Sequence, residues 1–84
     1  MIKKIRTALN EGKMVKVNTC NMWLNEDRTL IRWVNYGSSA NKNTDEELLF
    51  VLKEIAEYED GQDVFINEGR DVYSIPTKLR RLEK

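Results

Sequence analysis

The segment of residues 44–61, TDEELLFVLKEIAEYEDG, restricts the fold of this chain more than any other stretch. Thr44 suits the N-cap of a helix, and Glu47 completes a capping box, in which each side chain satisfies a backbone N–H group. Gly61 suits the left-handed position that follows a helix C-terminus. The apolar residues between them recur at helical spacing and are Leu48, Leu52, Ile55 and Ala56. The segment therefore predicts an amphipathic helix that packs on a core.

The outer edge of this predicted helix is strongly acidic. Residues 45–63 include eight carboxylates and one lysine. Charged outer faces are normal on amphipathic helices, so one interpretation is a solubilising surface. The other is an ordered negative surface that binds a protein partner with a basic groove, such as a groove that normally holds nucleic acid. We assign this partner-binding edge to Glu46, Glu47, Glu54, Glu57 and Asp60.

Length and composition predict one soluble domain. The chain has 84 residues, with 14 basic and 14 acidic side chains and no net charge. Cys20 is the only cysteine, which fits a reducing compartment because no internal disulfide can form. We expect a cytoplasmic protein, since no signal peptide and no apolar run of bilayer length is evident. We place the domain at residues 1–76 and a basic, frayed C-terminal tail at residues 77–84.

The first half of the chain predicts a helix followed by a hairpin. A short helix with one apolar face ends near Gly12, and residues 14–24 form a strand with an irregularity at residues 18–21. Residues 25–28 then form a turn, and residues 29–36 form the strongest strand candidate, TLIRWVNY. A symmetric hairpin with this four-residue loop places Trp23 opposite Leu30.

The second half predicts a polar linker, the acidic helix and two short strands. Residues 37–43, GSSANKN, form the linker. Residues 63–66 and 71–75 form strands around a turn, and Pro76 ends the second strand because proline cannot donate to a ladder. The resulting order, α-β-β-α-β-β, predicts a small α+β domain with one or two helices packed on a mostly antiparallel sheet.

Both faces of the predicted hairpin are largely apolar. Half-buried antiparallel strands usually alternate apolar and polar residues, so either helices cover both faces or one face is a contact surface. We assign the contact surface to Met22, Ile31 and Trp33, which serve a partner or self-association. In this register Trp23 and Trp33 lie on opposite faces, with one in the core and the other in contact with the partner.

The sequence lacks the usual signatures of catalysis and metal binding. It contains no histidine, and a single cysteine cannot form a zinc site or a redox pair. No nucleophile elbow, P-loop or dinucleotide-binding glycine pattern is present, and the carboxylates do not match an EF-hand loop. We therefore expect no enzymatic activity, no metal and no cofactor.

Basic residues cluster at both ends of the chain and suggest an alternative, a small nucleic-acid-binding protein. If the ends meet, their cations could contact a phosphate backbone. The aromatic residues that offer stacking planes are Trp23, Trp33, Tyr36 and Tyr73. A net charge of zero argues against this alternative, because nucleic-acid-binding domains usually carry a strong basic excess. The residues concerned are Lys3, Lys4, Arg6, Lys78, Arg80 and Arg81.

In its size, its helix–hairpin–helix beginning and its acidic second helix, the chain resembles small phage-encoded inhibitor proteins, including some anti-CRISPR proteins. The likeness concerns architecture and charge and transfers no residue roles. Nucleic-acid mimics of that kind are usually acidic overall, whereas this chain is neutral. We expect a non-enzymatic interaction module that binds and modulates or inhibits a macromolecular partner, in the setting of a phage or mobile-element accessory. The resemblance implies a host nucleic-acid-binding or defence protein as that partner.

Overall fold

A computed structural model of the chain describes residues 1–35, 37–59, 61–69 and 78–83. The domain is α+β, as predicted, with an antiparallel sheet of six strands in the order β4-β3-β2-β1-β5-β6. Its elements in chain order are α1 Ile2–Asn10, β1 Met14–Val17, β2 Cys20–Leu24, β3 Leu30–Val34, β4 Gly37–Asn41, α2 Asp45–Phe50, β5 Val64–Asn67 and β6 Leu79–Arg81.

Both helices pack on the same face of the sheet and enclose one core. The apolar sides of α1 and of the second helix share a cluster of buried residues with alternate positions of the strands. Because successive strand residues point to opposite faces, these positions lie on one side. The strand residues in the core are Val15, Val17, Cys20, Met22, Leu24, Leu30, Val64 and Ile66.

The β2–β3 hairpin is shifted by one residue from the predicted register. Leu24 pairs with Leu30 and Trp23 pairs with Ile31, so the loop spans five residues rather than four. A one-residue slip moves every side chain of a strand to the other face. Leu30 consequently joins the core, and Trp23 and Trp33 share the opposite face. The prediction that the two tryptophans lie on opposite faces is wrong.

The irregularity predicted within the first strand is a tight turn that divides it into β1 and β2. Val17 pairs with Cys20, and Asn18 between them has a φ of 51°. Asparagine tolerates this left-handed conformation better than most residues do. The turn lets one apolar run supply two neighbouring strands of the sheet.

The polar stretch predicted as a linker is the edge strand β4. Its residues pair with β3 from Leu30↔Asn41 to Val34↔Gly37. Glycine, serine and asparagine have low strand propensity, so composition predicts a loop here. The pairing depends on backbone groups, because β3 presents unpaired N–H and C=O groups that β4 satisfies. Four of the five β4 residues are exposed, and Asn41 is half-buried.

The second helix begins as predicted but ends earlier. The Thr44 hydroxyl accepts a hydrogen bond from the Glu47 N–H at 3.2 Å, which confirms the N-cap. The Glu47 carboxylate accepts a hydrogen bond from Asn41 Nδ2 at 3.2 Å instead of one from the backbone N–H of Thr44. Only one of the two hydrogen bonds of the capping box is therefore formed. After Phe50 the helix continues as a π-helical turn, Val51–Ile55. Glu57, with a φ of 53°, takes the left-handed position predicted for Gly61.

The core side of the second helix matches most of the predicted apolar pattern. Leu48, Leu52 and Ala56 are buried, as is Val51, which the prediction omitted. Ile55 is half-buried and packs against the core, although we predicted it to be buried.

The C-terminal residues belong to the sheet rather than to a frayed tail. β5 forms close to the predicted position and pairs with β1. β6 pairs with β5 from Phe65↔Arg81 to Asn67↔Leu79, so a tail that starts at residue 77 is wrong. The predicted strand at residues 71–75, Pro76 and Tyr36 lie outside the described residues.

Candidate interaction surfaces

The outer side of the second helix exposes two large apolar residues among carboxylates. Leu49 is 41% exposed and Phe50 is 48% exposed. Glu46 lies about one helical turn before Phe50, and Glu54 lies about one turn after it. We call this surface the helix patch and define it as Glu46, Leu49, Phe50, Lys53 and Glu54, all of which are exposed.

The carboxylates of the predicted acidic edge differ in their intramolecular contacts. Glu46, Glu54 and Glu57 are exposed and form no ion pair within the described ranges. Glu47 is half-buried and contacts Asn41, so it is less free to meet a partner. Asp60 lies outside the described residues. The sequence prediction included the carboxylates but overlooked Leu49 and Phe50. Phe50 lies two residues from both Leu48 and Leu52, and this spacing already placed it on the outward side of the helix.

The start of the second helix is held to α1 by Arg6. Its guanidinium forms an ion pair with Asp45 at 3.1 Å and also donates to the Asn43 side chain. These contacts give Arg6 a structural role within the fold, and its nucleic-acid contact in the alternative stays a prediction. They also neutralise one of the acidic residues in the first turn.

The chain ends do meet, as the alternative required, at a groove between α1 and the β5–β6 edge. Lys4 donates to the backbone carbonyl of Glu83. The groove has a volume of about 260 Å³. Its charged lining residues are Lys3, Lys4, Glu11, Lys13 and Arg80, and its apolar lining residues are Ala8, Ile66 and Leu82.

Carboxylates neutralise part of this basic groove. Lys13 pairs with Glu11 at 3.4 Å, and Arg80 pairs with Glu68 at 2.7 Å. The hydrogen bond from Arg80 holds the pKa of Glu68 below its usual value of 4.5. Two other predicted cations, Lys78 and Arg81, do not line the groove. Lys78 is exposed, and Arg81 forms an ion pair with Asp63 at 2.8 Å.

The second face of the sheet is not covered by either described helix, and we call it the open sheet face. One row of directly paired residues crosses all six strands. Trp33, Lys16 and Phe65 in this row are half-buried. The members of the row, from β4 to β6, are Ser38, Trp33, Asn21, Lys16, Phe65 and Arg81. Trp23, Ile31 and Ala40 form a second row beside it.

Asn21 is a polar residue at the centre of the open sheet face. Its side chain is only 8% exposed, and within the described part of the chain its Oδ1 atom has no hydrogen-bond partner. Asn21 also lines a depression of about 210 Å³ with Thr19, Trp33 and Asn35. Trp23 Nε1, on the same face, is likewise buried and without a partner among the described residues. A buried polar atom without a partner is unfavourable, so this part of the face has an unmatched acceptor and an unmatched donor.

The predicted contact set of Met22, Ile31 and Trp33 is split between the two faces. Met22 is fully buried in the core, so its assignment to a contact surface is wrong. Ile31 and Trp33 lie together on the open sheet face. Lys16, Asn21 and Phe65 were missed because they join Trp33 only through strand pairing, which the predicted register did not contain.

The described residues offer little for covalent or metal chemistry. Burial raises the pKa of the Cys20 thiol to about 11, despite opposing effects from Arg32 and the backbone of Trp33. A thiol with such a pKa is a poor nucleophile at neutral pH. Across the described ranges no group of three or more His, Cys, Asp and Glu side chains could hold a metal ion.

Comparisons with known proteins give no functional information about this chain. Searches against protein-family models, curated proteins and solved structures find no match. In the part of the chain that the structure describes, neither helix is long and apolar enough to cross a membrane.

Proposed function

We propose that this chain is a non-enzymatic interaction module that binds and modulates a cationic protein partner through the helix patch. The observation that carries the proposal is the exposed Leu49–Phe50 pair, set among Glu46 and Glu54 on an ordered helix. Interface hot spots typically combine a large apolar anchor with a polar rim that excludes water. A partner with a basic rim around an apolar pocket has the complementary chemistry.

Charge and apolar area play different parts in this binding. Burying Phe50 and Leu49 in a partner removes apolar surface from water, which supplies affinity. The carboxylates of Glu46, Glu54 and Glu57 have no ion-pair partner among the described residues. They attract a cationic surface and raise the association rate, an effect that salt screens. Because the helix is already ordered, little conformational entropy is lost when it presents these groups.

The test compares matched substitutions in partner capture from the native host lysate, followed by a binding titration with the purified partner. Phe50→Ala removes the apolar anchor, and Leu79→Ala is its control because Leu79 is a similarly exposed residue on β6, at 43%. We expect Phe50→Ala to weaken binding about tenfold or more, which is about 1.4 kcal/mol. Leu79→Ala should change the affinity less than twofold.

A second pair of variants tests the charge. Glu54→Lys reverses a carboxylate of the helix patch, whereas Glu26→Lys makes the same change in the exposed β2–β3 loop. We expect only Glu54→Lys to slow association, and the difference to shrink at high salt. Circular dichroism would first establish that each variant is folded. Equal effects of the two lysine variants would show that binding responds to net charge and would refute the helix patch.

Nucleic-acid binding by the basic ends is the alternative, and one observation favours it: Lys3, Lys4, Lys13 and Arg80 line one groove. The ion pairs of Lys13 and Arg80 argue against this alternative, because a phosphate must compete with Glu11 and Glu68 for the two cations. The double variant Lys3→Gln with Lys4→Gln discriminates the two functions. It should abolish the binding of duplex DNA under the alternative and leave partner binding unchanged under our proposal.

A further inference from the structure

We propose that the open sheet face binds single-stranded nucleic acid, with Trp33 and Phe65 as stacking planes, Asn21 as a base contact and Lys16 as a phosphate contact. This site is separate from the helix patch, because both helices pack on the other face of the sheet. Its residues also differ from those of the basic groove. The inference therefore stands or falls independently of the proposed protein partner.

The spacing of the aromatic side chains suits a splayed single strand. Trp33 lies on β3 and Phe65 on β5, three steps apart in the sheet order. Neighbouring strands are about 4.8 Å apart, so the two rings are separated by roughly 14 Å. Both rings are half-buried, so each is fixed by its neighbours while part of it faces solvent. Unpaired bases stack on such planes whatever their sequence, because every base has a π-face.

Asn21 supplies the observation that points to a ligand. It pairs directly with Trp33 on one side and with Lys16 on the other. Its Oδ1 atom is buried and, among the described residues, has no donor. Once the side chains that bury this acceptor move aside, a base stacked on Trp33 can place an exocyclic amino group or a ring N–H at it. The bound base would thereby satisfy a polar atom that the described residues leave unpaired.

Local charge on this face favours a phosphate despite the zero net charge of the chain. Lys16 lies at the centre of the row and forms no ion pair within the described ranges. Arg81, at the end of the row, shares its charge with Asp63 at 2.8 Å. The densest group of carboxylates is on the second helix, on the other side of the sheet. With so few free cations, the dependence of binding on salt should be shallow.

A duplex does not fit this surface. Stacking requires bases that are already unpaired, and the Watson–Crick pairs of a duplex keep both faces of each base stacked internally. A broad sheet also cannot enter a major groove, which admits a helix or a two-stranded ribbon. The occupant is therefore a single strand, either of RNA or of DNA.

The experiment titrates the full chain with fluorescein-labelled homopolymers of about a dozen nucleotides, as DNA and as RNA, and with a duplex of the same length. Anisotropy measures affinity and tryptophan emission reports stacking. We expect single strands to quench the emission and to bind at least tenfold more tightly than the duplex. Comparison of the RNA and DNA arms identifies the sugar that the face prefers.

Matched variants assign the binding to this face. Trp33→Ala should weaken binding about tenfold, in line with the loss of one stacked base, and Trp33→Phe, which keeps a smaller plane, should weaken it less. Lys16→Gln should reduce the salt slope by about 0.7, the value for one phosphate contact on a single strand. Phe50→Ala, on the helix patch, is the control and should change nothing. Circular dichroism would establish that each variant is folded.

Three results would overturn the proposal. The first is equal affinity for duplex and single strand, and the second is unchanged binding by both Trp33 variants. The third is a concentration-dependent dimer in sedimentation that buries Trp33, because the face would then be an interface between copies of the chain. A loss of protein-partner binding in Phe50→Ala with intact oligonucleotide binding would separate this site from the helix patch.

Discussion

The side-chain amide of Asn18 donates a hydrogen bond to the backbone carbonyl of Ala56 at 2.6 Å. The β1–β2 turn is thereby joined to the point where the second helix ends. Asn18 Nδ2 also lies 3.3 Å from Oε1 of Gln62, in the segment that leads to β5. One side chain therefore connects three parts of the chain, from a residue whose φ of 51° lies in the left-handed region.

We expect Asn18→Gly to lower the free energy of unfolding by about 0.5–1.5 kcal/mol, the usual net value of a hydrogen bond. Glycine retains the left-handed backbone, so this variant isolates the amide. Asn18→Ala should lose about 1 kcal/mol more, because a Cβ atom disfavours that conformation. Urea denaturation measures both. A glycine variant that is less stable than the alanine variant would contradict this account of the turn.

Leu52→Ala should lower the free energy of unfolding by about 2–5 kcal/mol, since Leu52 is buried on the core side of the second helix. The matched control is Leu49→Ala, which removes the same atoms from the exposed side of the same helix. It should change stability by about 0.5 kcal/mol or less. Chemical denaturation of the two variants gives the comparison, and a loss under 0.5 kcal/mol for Leu52→Ala would show that the core is wrongly placed.

Cys20 should resist alkylation in the folded protein. Burial raises its pKa from 9.0 to about 11, so the thiolate is scarce near pH 8. Because the folded state disfavours the thiolate, the contribution of Cys20 to stability is complete below pH 9 and is lost as the pH rises towards 11. Iodoacetamide labelling followed by mass spectrometry should be slow without denaturant and fast in urea. Rapid labelling of the native protein would mean that β2 is accessible.

The Glu68–Arg80 contact should make stability sensitive to acid. The hydrogen bond from Arg80 lowers the pKa of Glu68 below 4.5, so the folded state favours the ionised carboxylate. This contribution is present above pH 4.5 and is lost as the pH falls through the lower folded value. We expect urea midpoints of Glu68→Gln to change less between pH 5 and pH 3 than those of Glu26→Gln, a control in an exposed loop.

Removal of metal should leave the fold unchanged. We expect the melting temperature with excess EDTA to equal that in buffer, because the sequence lacks histidine and a second thiol. Differential scanning fluorimetry makes the comparison. A fall of several degrees that added calcium or zinc reverses would indicate a carboxylate-bound ion and would contradict the prediction.

Several features of the fold depend on local chemistry and could be predicted from the sequence. The Thr44 cap follows from a hydroxyl placed before a helical apolar repeat. The buried side of the second helix follows from the spacing of Leu48, Leu52 and Ala56. The acidic character of the outer edge is likewise a property of residue order, so exposed Glu46 and Glu54 could be assigned to a surface in advance.

Features that depend on non-local pairing could not be predicted. β4 has no strand-like composition and forms because β3 offers it backbone partners. The helix stops at Ile55 rather than near Gly61. Just beyond this end, the backbone carbonyl of Ala56 accepts a hydrogen bond from Asn18, which lies in a distant turn. β6 similarly forms by pairing with β5, although its residues suggested a loose tail.

Residue order is enough to specify the class of the domain, the amphipathic acidic helix and the carboxylates that this helix exposes, because these depend on residue type and on periods of two to four residues. Long-range strand pairing selects which residues share the open sheet face. A slip of one residue in the β2–β3 pairing exchanges the two faces of a strand, and the free energy that selects the register comes from burying Leu30 against Leu24 and Met22 in the common core. The juxtaposition of Trp33, Asn21 and Lys16 is a consequence of that choice.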